Sequence, residues 1–345
     1  AAPDVYYILI DAYSRSDLLR DQFGIDSTEF TNKLLQMGFY IPKCAQSNYD
    51  VTYPSLASSL NMNYLDTLGI NQVDAEPADY QPFIHDSLVR KTFEKLGYQT
   101  VTFKSLHPAI DIADSTYYFD YFKDKSVLDQ SSSLNFQYLF LGTTIFRPVV
   151  AYLEGNKDSL KLSTFWSTWL PTNSSVNSRE YRQYQQNVYA LESLTTIPKL
   201  PGKKFVYAHI FITHQPYVFY PDGRFHPALA QHEGAYRDQV LFANQRIPEI
   251  LKSILANSNP KPIIIVQSDH SFVRGPDRVK ILNAYYLPDR GQQGLYDTIT
   301  PVNTFRLIFN TYFGGKYEML PDVARYSEII NGKREIHEVP SSCAN

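Results

Sequence analysis

Apolar positions along the chain fall into short runs separated by amphipathic stretches, which is the grammar of strands alternating with helices. The run Val5-Tyr6-Tyr7-Ile8-Leu9-Ile10 is unbroken and rich in β-formers. It reads as a strand buried on both faces of a mostly parallel sheet, with Asp11 at its carboxyl end. A helix is predicted over 27–37, opened by a capping-box-like pair, Asp26 and Glu29, and closed by Gly38. Pro82 to Leu96 reads as the next helix, ended by Gly97, and Tyr98 to Phe103 as the strand after it. Two more buried-strand runs, Phe205 to Thr213 and Pro262 to Gln267, flank a helical stretch from Tyr236 to Leu255 that Pro248 should kink or divide. Leu282 to Leu287 predicts a strand. Pro301 opens a last amphipathic helix, and Gly314-Gly315 ends it. The fold class is therefore α/β.

Residues 121–200 break this rhythm and read as an insertion. They hold Ser131-Ser132-Ser133, an aromatic stretch from Phe136 to Tyr152 and a polar tract from Asn173 to Gln186. The aromatic stretch reads either as a packing helix with its loop or as an interfacial helix. Residues 315–345 carry few apolar anchors and are expected to wrap the surface or fray. The expected organisation is one catalytic domain over 1–314, interrupted by that insertion, and a C-terminal tail over 315–345.

With 345 residues, 43% of them hydrophobic and 19% charged, the composition is that of a globular protein. The 32 basic and 35 acidic residues leave a formal charge of -3, without the basic excess that phosphate-backbone recognition requires, which argues against a nucleic-acid partner. No apolar run approaches the ~20 residues needed to span a bilayer. The start, Ala1-Ala2-Pro3, has neither the basic region nor the cleavage region of a signal peptide. The sequence reads as beginning at a domain edge. Cys44 and Cys343 stand near opposite ends, with no metal spacing and no disulfide framework. A bridge between them is one reading; two reduced thiols is the favoured one.

In open α/β sheets ligands bind beyond the carboxyl ends of the strands. Asp11 sits at one such end, and Asp269-His270 follows the run Ile263 to Val266 at another. Two carboxylates and an imidazole suit a divalent ion. A third candidate is Val51-Thr52-Tyr53-Pro54-Ser55, where Pro54 fits the first position of a helix and sets Thr52 just before its N-terminus. There the hydroxyl meets unpaired N–H donors, a setting that favours a phosphoryl or sulfuryl group and a Thr nucleophile. Taken alone, the spacing favours Thr52 as a simple helix cap.

Together these segments resemble the sulfatase-like branch of the alkaline phosphatase superfamily. Asp11 after the first strand, Thr52-x-Pro54-Ser55 at a helix start and Ser268-Asp269-His270 late in the chain occur in that family's order. The segment Ala208-His209 through His214-Gln215-Pro216-Tyr217 is similar to the His-x-Pro segment of sulfatases and lipoteichoic acid synthases. Ser47-Asn48-Tyr49, Ser58-Ser59-Leu60-Asn61 and Pro301 to Arg306 extend the likeness to bacterial hydrolase and transferase ectodomains. Most of residues 4–313 is covered.

The resemblance implies an alkaline phosphatase-like, mixed and mostly parallel sheet flanked by helices. It implies one divalent metal ion (Mn, Zn, Mg or Ca) on Asp11, Thr52, Asp269 and His270, with Thr52 as nucleophile and His214 at the substrate. Asn48, Lys104 and Arg274 join His214 as candidate substrate contacts. The implied substrate is an anionic phosphoester, lipid or cell-envelope polymer, handled on the extracytoplasmic face of a membrane with the anchor outside this sequence. Sulfatases carry a Cys or Ser that becomes formylglycine where this chain has Thr52, so sulfate-ester hydrolysis and a non-catalytic binding role stand as alternatives. Ser271 replaces the Gly that many relatives have after Asp-His. His209, within an apolar strand, reads as a satisfied core residue or one behind the ligands. Asp222 and His226 match a two-metal spacing, but His226 and His232 on their loop read as solvent-facing, so one ion is expected.

Overall fold

A computed structural model describes residues 2–105, 107–128, 178–226, 234–289 and 291–343. Most of the predicted insertion, including Phe136 to Tyr152, lies outside the described residues, as does His232. In chain order the regular elements are β1 (Val5–Ile10), α1 (Ser16–Phe23), α2 (Thr28–Gln36), α3 (Thr52–Asn61), α4 (Pro77–His85) and α5 (Leu88–Lys95). Next come β2 (Gln99–Phe103), β3 (Tyr117–Phe119), α6 (Tyr121–Leu128), α7 (Arg179–Leu194), β4 (Lys204–Ile210) and α8 (Ala235–Asn257). The chain closes with β5 (Ile263–Gln267), β6 (Asn283–Tyr286), α9 (Pro301–Tyr312), β7 (Ala324–Ile330) and β8 (Lys333–Val339).

Six strands form one sheet in the order β3-β2-β4-β1-β5-β6. All pairings are parallel except β5 with β6. The sheet buries both faces because its central strands are apolar at every position, and alternate side chains go to opposite layers. Tyr6, Ile8 and Ile10 of β1 pack with Val206, Ala208 and Ile210 of β4 beneath α2, α7 and α8. Val5, Tyr7 and Leu9 pack with Phe205 and Tyr207 against α3, α4, α5 and α9. The mixed, mostly parallel sheet expected from the sequence is the one observed.

Several boundaries differ for local reasons. The single helix expected over 82–96 is two: α4 ends at His85, and Ser87 caps α5 by accepting from the Arg90 N–H. Conversely, α8 runs unbroken through Pro248, which lies buried on its apolar side, so packing overrides the missing hydrogen bond. β4 stops at Ile210 because the Asn187 side chain takes both the N–H and the C=O of Phe211, at 3.1 and 3.2 Å, and turns the chain off the sheet.

Two expectations are corrected at the C-terminus. Residues 324–339 do not fray; they form an antiparallel pair, with Ala324 opposite Val339 and Ile330 opposite Lys333. Cys44 and Cys343 are joined in a disulfide rather than free. Polar contacts bring the segments together: Arg15 Nη1 donates to Ser342 O at 2.7 Å, and Gln46 Nε2 donates to Pro340 O at 3.1 Å. Such long-range docking leaves no trace in cysteine spacing.

Candidate active site

β4, β1 and β5 are adjacent and parallel, so their carboxyl ends open on one edge of the sheet. Asp11 leaves β1 directly, and its N–H still bonds Ile210 O of β4 at 3.1 Å. Its carbonyl accepts from the Thr213 hydroxyl. From the other side, Asp269 Oδ1 accepts the Ala12 N–H at 3.2 Å, and Ser55 of α3 donates to Asp269 O at 2.9 Å. Backbone and side-chain bonds thus tie the ends of β1 and β5 to the first turn of α3.

That helix begins at Thr52 itself, two residues earlier than Pro54 suggested. Pro54 is tolerated inside the first turn because its missing N–H is one of the donors without an intrahelical partner there. Val51 is the cap and offers no side-chain hydrogen bond. Thr52 Oγ1 lies 3.2 Å from His270 Nε2. His270 Nδ1 is 2.9 Å from Ser271 O, and since a carbonyl only accepts, Nδ1 carries the proton. In the neutral ring Nε2 is then a lone-pair donor facing Thr52.

Three further groups converge. One ligand atom each from Asp11, His209 and Asp269 lie within 4.8 Å of one another, all buried. His209 Nε2 stands 3.0 Å from Asp11 Oδ2, in ion-pair reach although off the line of a good hydrogen bond. His270 Nε2 is 3.5 Å from Asp269 Oδ2 and 3.8 Å from Asp11 Oδ1. Asp11 Oδ1, Asp269 Oδ2 and His209 Nδ1 have no hydrogen-bond partner among the described residues. Two carboxylates at 1% exposure with orphaned oxygens cost several kcal/mol unless a cation answers them. The donor set, hard oxygens with imidazole nitrogens, fits a divalent ion.

Electrostatics agrees with the geometry. Burial alone would raise the Asp11 carboxyl, but the imidazoles of His214, His209 and His270 outweigh it and hold Asp11 below the usual carboxylate range. Burial opposes charge on His209, yet the Asp11 carboxylate beside it, with Asp269 nearby, raises it above its ordinary value.

The other candidates separate. His214 is partly exposed at the same sheet edge, its ring perpendicular to Phe211, with Nδ1 2.6 Å from Gln215 O. Lys104 lines a narrow cleft beside His209, together with His107, Gln183 and Phe211, but its ammonium is taken by Asp111. Arg274 is exposed on the loop after His270. Asn48 is not placed to touch a substrate. It is 1% exposed, and its amide is spent inside the protein: Nδ2 donates to Thr300 Oγ1 and Val323 O, and Oδ1 accepts the Val302 N–H.

Two histidines near the site were not legible as such in the sequence. His209 read as core or as standing behind the ligands because it lies inside an apolar strand, and only the pairing of β4 with β1 brings it to Asp11. His107 stacks on Phe211 at 5.3 Å and meets His214 edge-on at 6.3 Å; burial, then His214, lower its pKa. No motif marked it.

No family model matches the chain, and no curated protein matches it. Solved structures do. The C-terminal periplasmic domain of EcEptC from Escherichia coli, in complex with Zn, superposes with a TM-score of 0.51 at 11% identity, over 90% of this chain and 82% of that one. This chain has the alkaline phosphatase-like fold. The periplasmic domain of phosphoethanolamine transferase EptC from Campylobacter jejuni matches it at TM-score 0.51 and 12% identity, over 93% and 92% of the two chains. A sulfatase of glycosaminoglycan metabolism from Bacteroides thetaiotaomicron matches at TM-score 0.54 and 12% identity, over 96% and 81%. The sulfatase-like architecture is therefore common to all three, whatever each one acts on.

Proposed function

We propose that the chain is a metal-dependent hydrolase or transferase of phosphate esters, of phosphodiester or phospholipid head-group type, working through a covalent ester on Thr52. The observation that carries this reading is the convergence of the Thr52 hydroxyl, at an uncapped helix start, on a buried group of two carboxylates and two imidazoles with orphaned donor atoms. Asp11, Asp269, His270 and Thr52 are the proposed metal ligands, with His209 joining them from β4. When bound, the ion supplies positive charge that lowers the pKa of the Thr52 hydroxyl and offsets charge on the attacked centre.

The chain's own residues do the rest. Thr52 gives its proton to solvent as Oγ1 attacks phosphorus, since the His270 Nε2 lone pair is committed as a ligand, and the free N–H groups at the start of α3 hold a non-bridging oxygen. His214 binds a substrate oxygen or protonates the leaving alcohol. Water or an acceptor alcohol then takes the group from Thr52, which distinguishes hydrolase from transferase. A threonine at the nucleophile position cannot become formylglycine, which disfavours the sulfatase alternative; the complete ligand set disfavours a purely binding role.

The extracytoplasmic placement is part of the same proposal. The Cys44–Cys343 disulfide belongs in an oxidising compartment, and two of the structural neighbours are periplasmic domains of their own proteins. Among the described residues no helix is long and apolar enough to cross a membrane.

The test is a panel of phosphomonoesters, phosphodiesters and sulfate esters offered with Zn²⁺, Mn²⁺, Mg²⁺ or Ca²⁺, followed by intact-mass analysis of the quenched protein. A phosphoryl adduct on the wild type that is absent in Thr52→Ala, with turnover lost in that variant, is the expected result. Wild-type turnover by Thr52→Ala overturns the covalent role.

A further inference from the structure

Residues 44–50, which deliver the chain to Thr52, contain no helix or strand and are nonetheless all buried. Buried irregular backbone must find its hydrogen-bond partners elsewhere. Part of the support comes from the 278–281 segment: Ser47 N–H donates to Val279 O at 2.8 Å, and Arg278 Nε donates to Asp50 O at 2.6 Å. A further share comes from the far end of the protein. Arg325 N–H donates to Asn48 O at 3.0 Å, and Arg325 Nη1 donates to the Tyr49 hydroxyl at 3.3 Å. Ser327 Oγ donates to the Asp50 carboxylate at 3.3 Å. Val323 O receives the Asn48 amide, Pro340 O receives the Gln46 amide, and Cys343 is bonded to Cys44.

The hairpin that supplies these contacts has a few other anchors: Arg334 Nη1 donates to Gln72 O at 3.1 Å, and Arg325 lies 3.7 Å from Asp66. β7 and β8 form a separate two-stranded sheet, with Ile329 at its tip 71% exposed. Of its residues only Ala324 is buried. An isolated two-stranded hairpin is marginal in water, so this one persists through its attachments, and those attachments concentrate on the loop ahead of Thr52.

We infer that the C-terminal segment 323–343 is a clasp that positions the nucleophile, with Arg325 and Ser327 as its positioning residues. For the reaction this rests on the reading of Thr52 given above; for the loop it rests on the contacts alone. The clasp holds Asn48 by its backbone carbonyl and Tyr49 and Asp50 by their side chains, and thereby the entry to α3, while Asp11, His209 and Asp269 are carried on the ends of β1, β4 and β5, with Asp269 alone of the three tied to α3, through Ser55. Loosening it should leave the ion's carboxylate ligands in place and displace the attacking oxygen. A displacement of about 1 Å at a reacting group costs on the order of 10²-fold in rate.

The experiment compares Ser327→Ala, Ser327→Thr and the double variant Arg325→Ala/Ser327→Ala by hydrogen–deuterium exchange, Zn²⁺ titration calorimetry and steady-state kinetics on the best ester of the panel. Expected in the double variant is exchange at least 10-fold faster in peptides spanning 46–56, with peptides over β1, β4 and β5 unchanged. Zn²⁺ affinity should fall far less than in Asp269→Ala, since Thr52 alone among the proposed ligands is displaced, and kcat should fall 10- to 100-fold with KM within twofold. Ser327→Thr, which keeps the hydroxyl, should exchange as the wild type does, and Ser327→Ala should fall between. Unchanged exchange over 46–56 in the double variant overturns the clasp, and so does faster exchange with unaltered kcat. If the wild type turns over no ester, the reading of function fails, and the clasp is decided by the exchange of 46–56 alone.

Discussion

Replacing Asn48 by Ala separates two roles that the sequence leaves alike, substrate contact and internal keystone. The side chain makes three short hydrogen bonds, of 3.0 Å to Thr300 Oγ1, 2.9 Å to Val323 O and 2.8 Å from Val302 N. Each is worth about 1 kcal/mol net. Thr300 keeps Asp322 as an acceptor at 2.8 Å, but the Val302 N–H, a first-turn donor of α9, is left buried without a partner. That adds roughly 1–3 kcal/mol, for a total of about 4–6 kcal/mol. At about 2.1 cal/mol/K per residue, a chain of this size shifts its midpoint by roughly 1.4 °C per kcal/mol. Asn48→Ala should therefore melt about 6–8 °C below the wild type in a calorimetric scan. Asn48→Asp, which turns a carboxylate oxygen toward Val323 O, should fare no better at neutral pH and should recover on acidification. A midpoint within 1 °C of wild type in both variants, accompanied by a raised KM, would refute this reasoning and return Asn48 to the substrate.

Three other outcomes follow from the site. Asp269→Ala should lose at least 10²-fold in Zn²⁺ affinity by calorimetry with its circular dichroism spectrum unchanged; full metal stoichiometry in that variant would remove Asp269 from the ligand set. His214→Ala should lower kcat by about 10²–10⁴ with metal content intact, and metal loss would instead make His214 a ligand. In chelator-treated protein, His209 has a folded pKa raised above its ordinary 6.5, so its pairing with Asp11 stabilises fully below that value and is lost as pH rises through the folded pKa. The melting point of metal-free protein should accordingly fall on going from pH 6 to 9, a decline absent from His209→Asn.

What could be read from the sequence was what is local. β1 and β5 announce themselves because parallel strands buried on both faces must be continuous runs of β-formers, and Asp11, Asp269 and His270 come immediately after them. Thr52 was legible through Pro54 and the small residues behind it, although the helix begins two residues earlier than proline placement implied. His209 was not, because inside a strand an imidazole is indistinguishable from core until the neighbouring strand is known, and β4 lies next to β1 only through a crossover of nearly two hundred residues. Asn48 reached its partner Val323 across 275 positions, and Ser327 reached Asp50 across 277. No periodicity encodes contacts of that span. The exposed, alternating pattern of β7 and β8 hid a hairpin because its anchors are hydrogen bonds and a disulfide, not apolar side chains.

The Cys44–Cys343 bond also has a topological meaning. It closes a covalent ring through 299 positions. A single proteolytic cut inside the ring opens the circle without separating the pieces, so a nicked molecule should run as one band on a non-reducing gel and as two after reduction. Two pieces tied in this way face each other at an effective concentration in about the millimolar range. Reassembly after a cut in a surface turn such as 221–223 is then a unimolecular event, independent of how dilute the protein is.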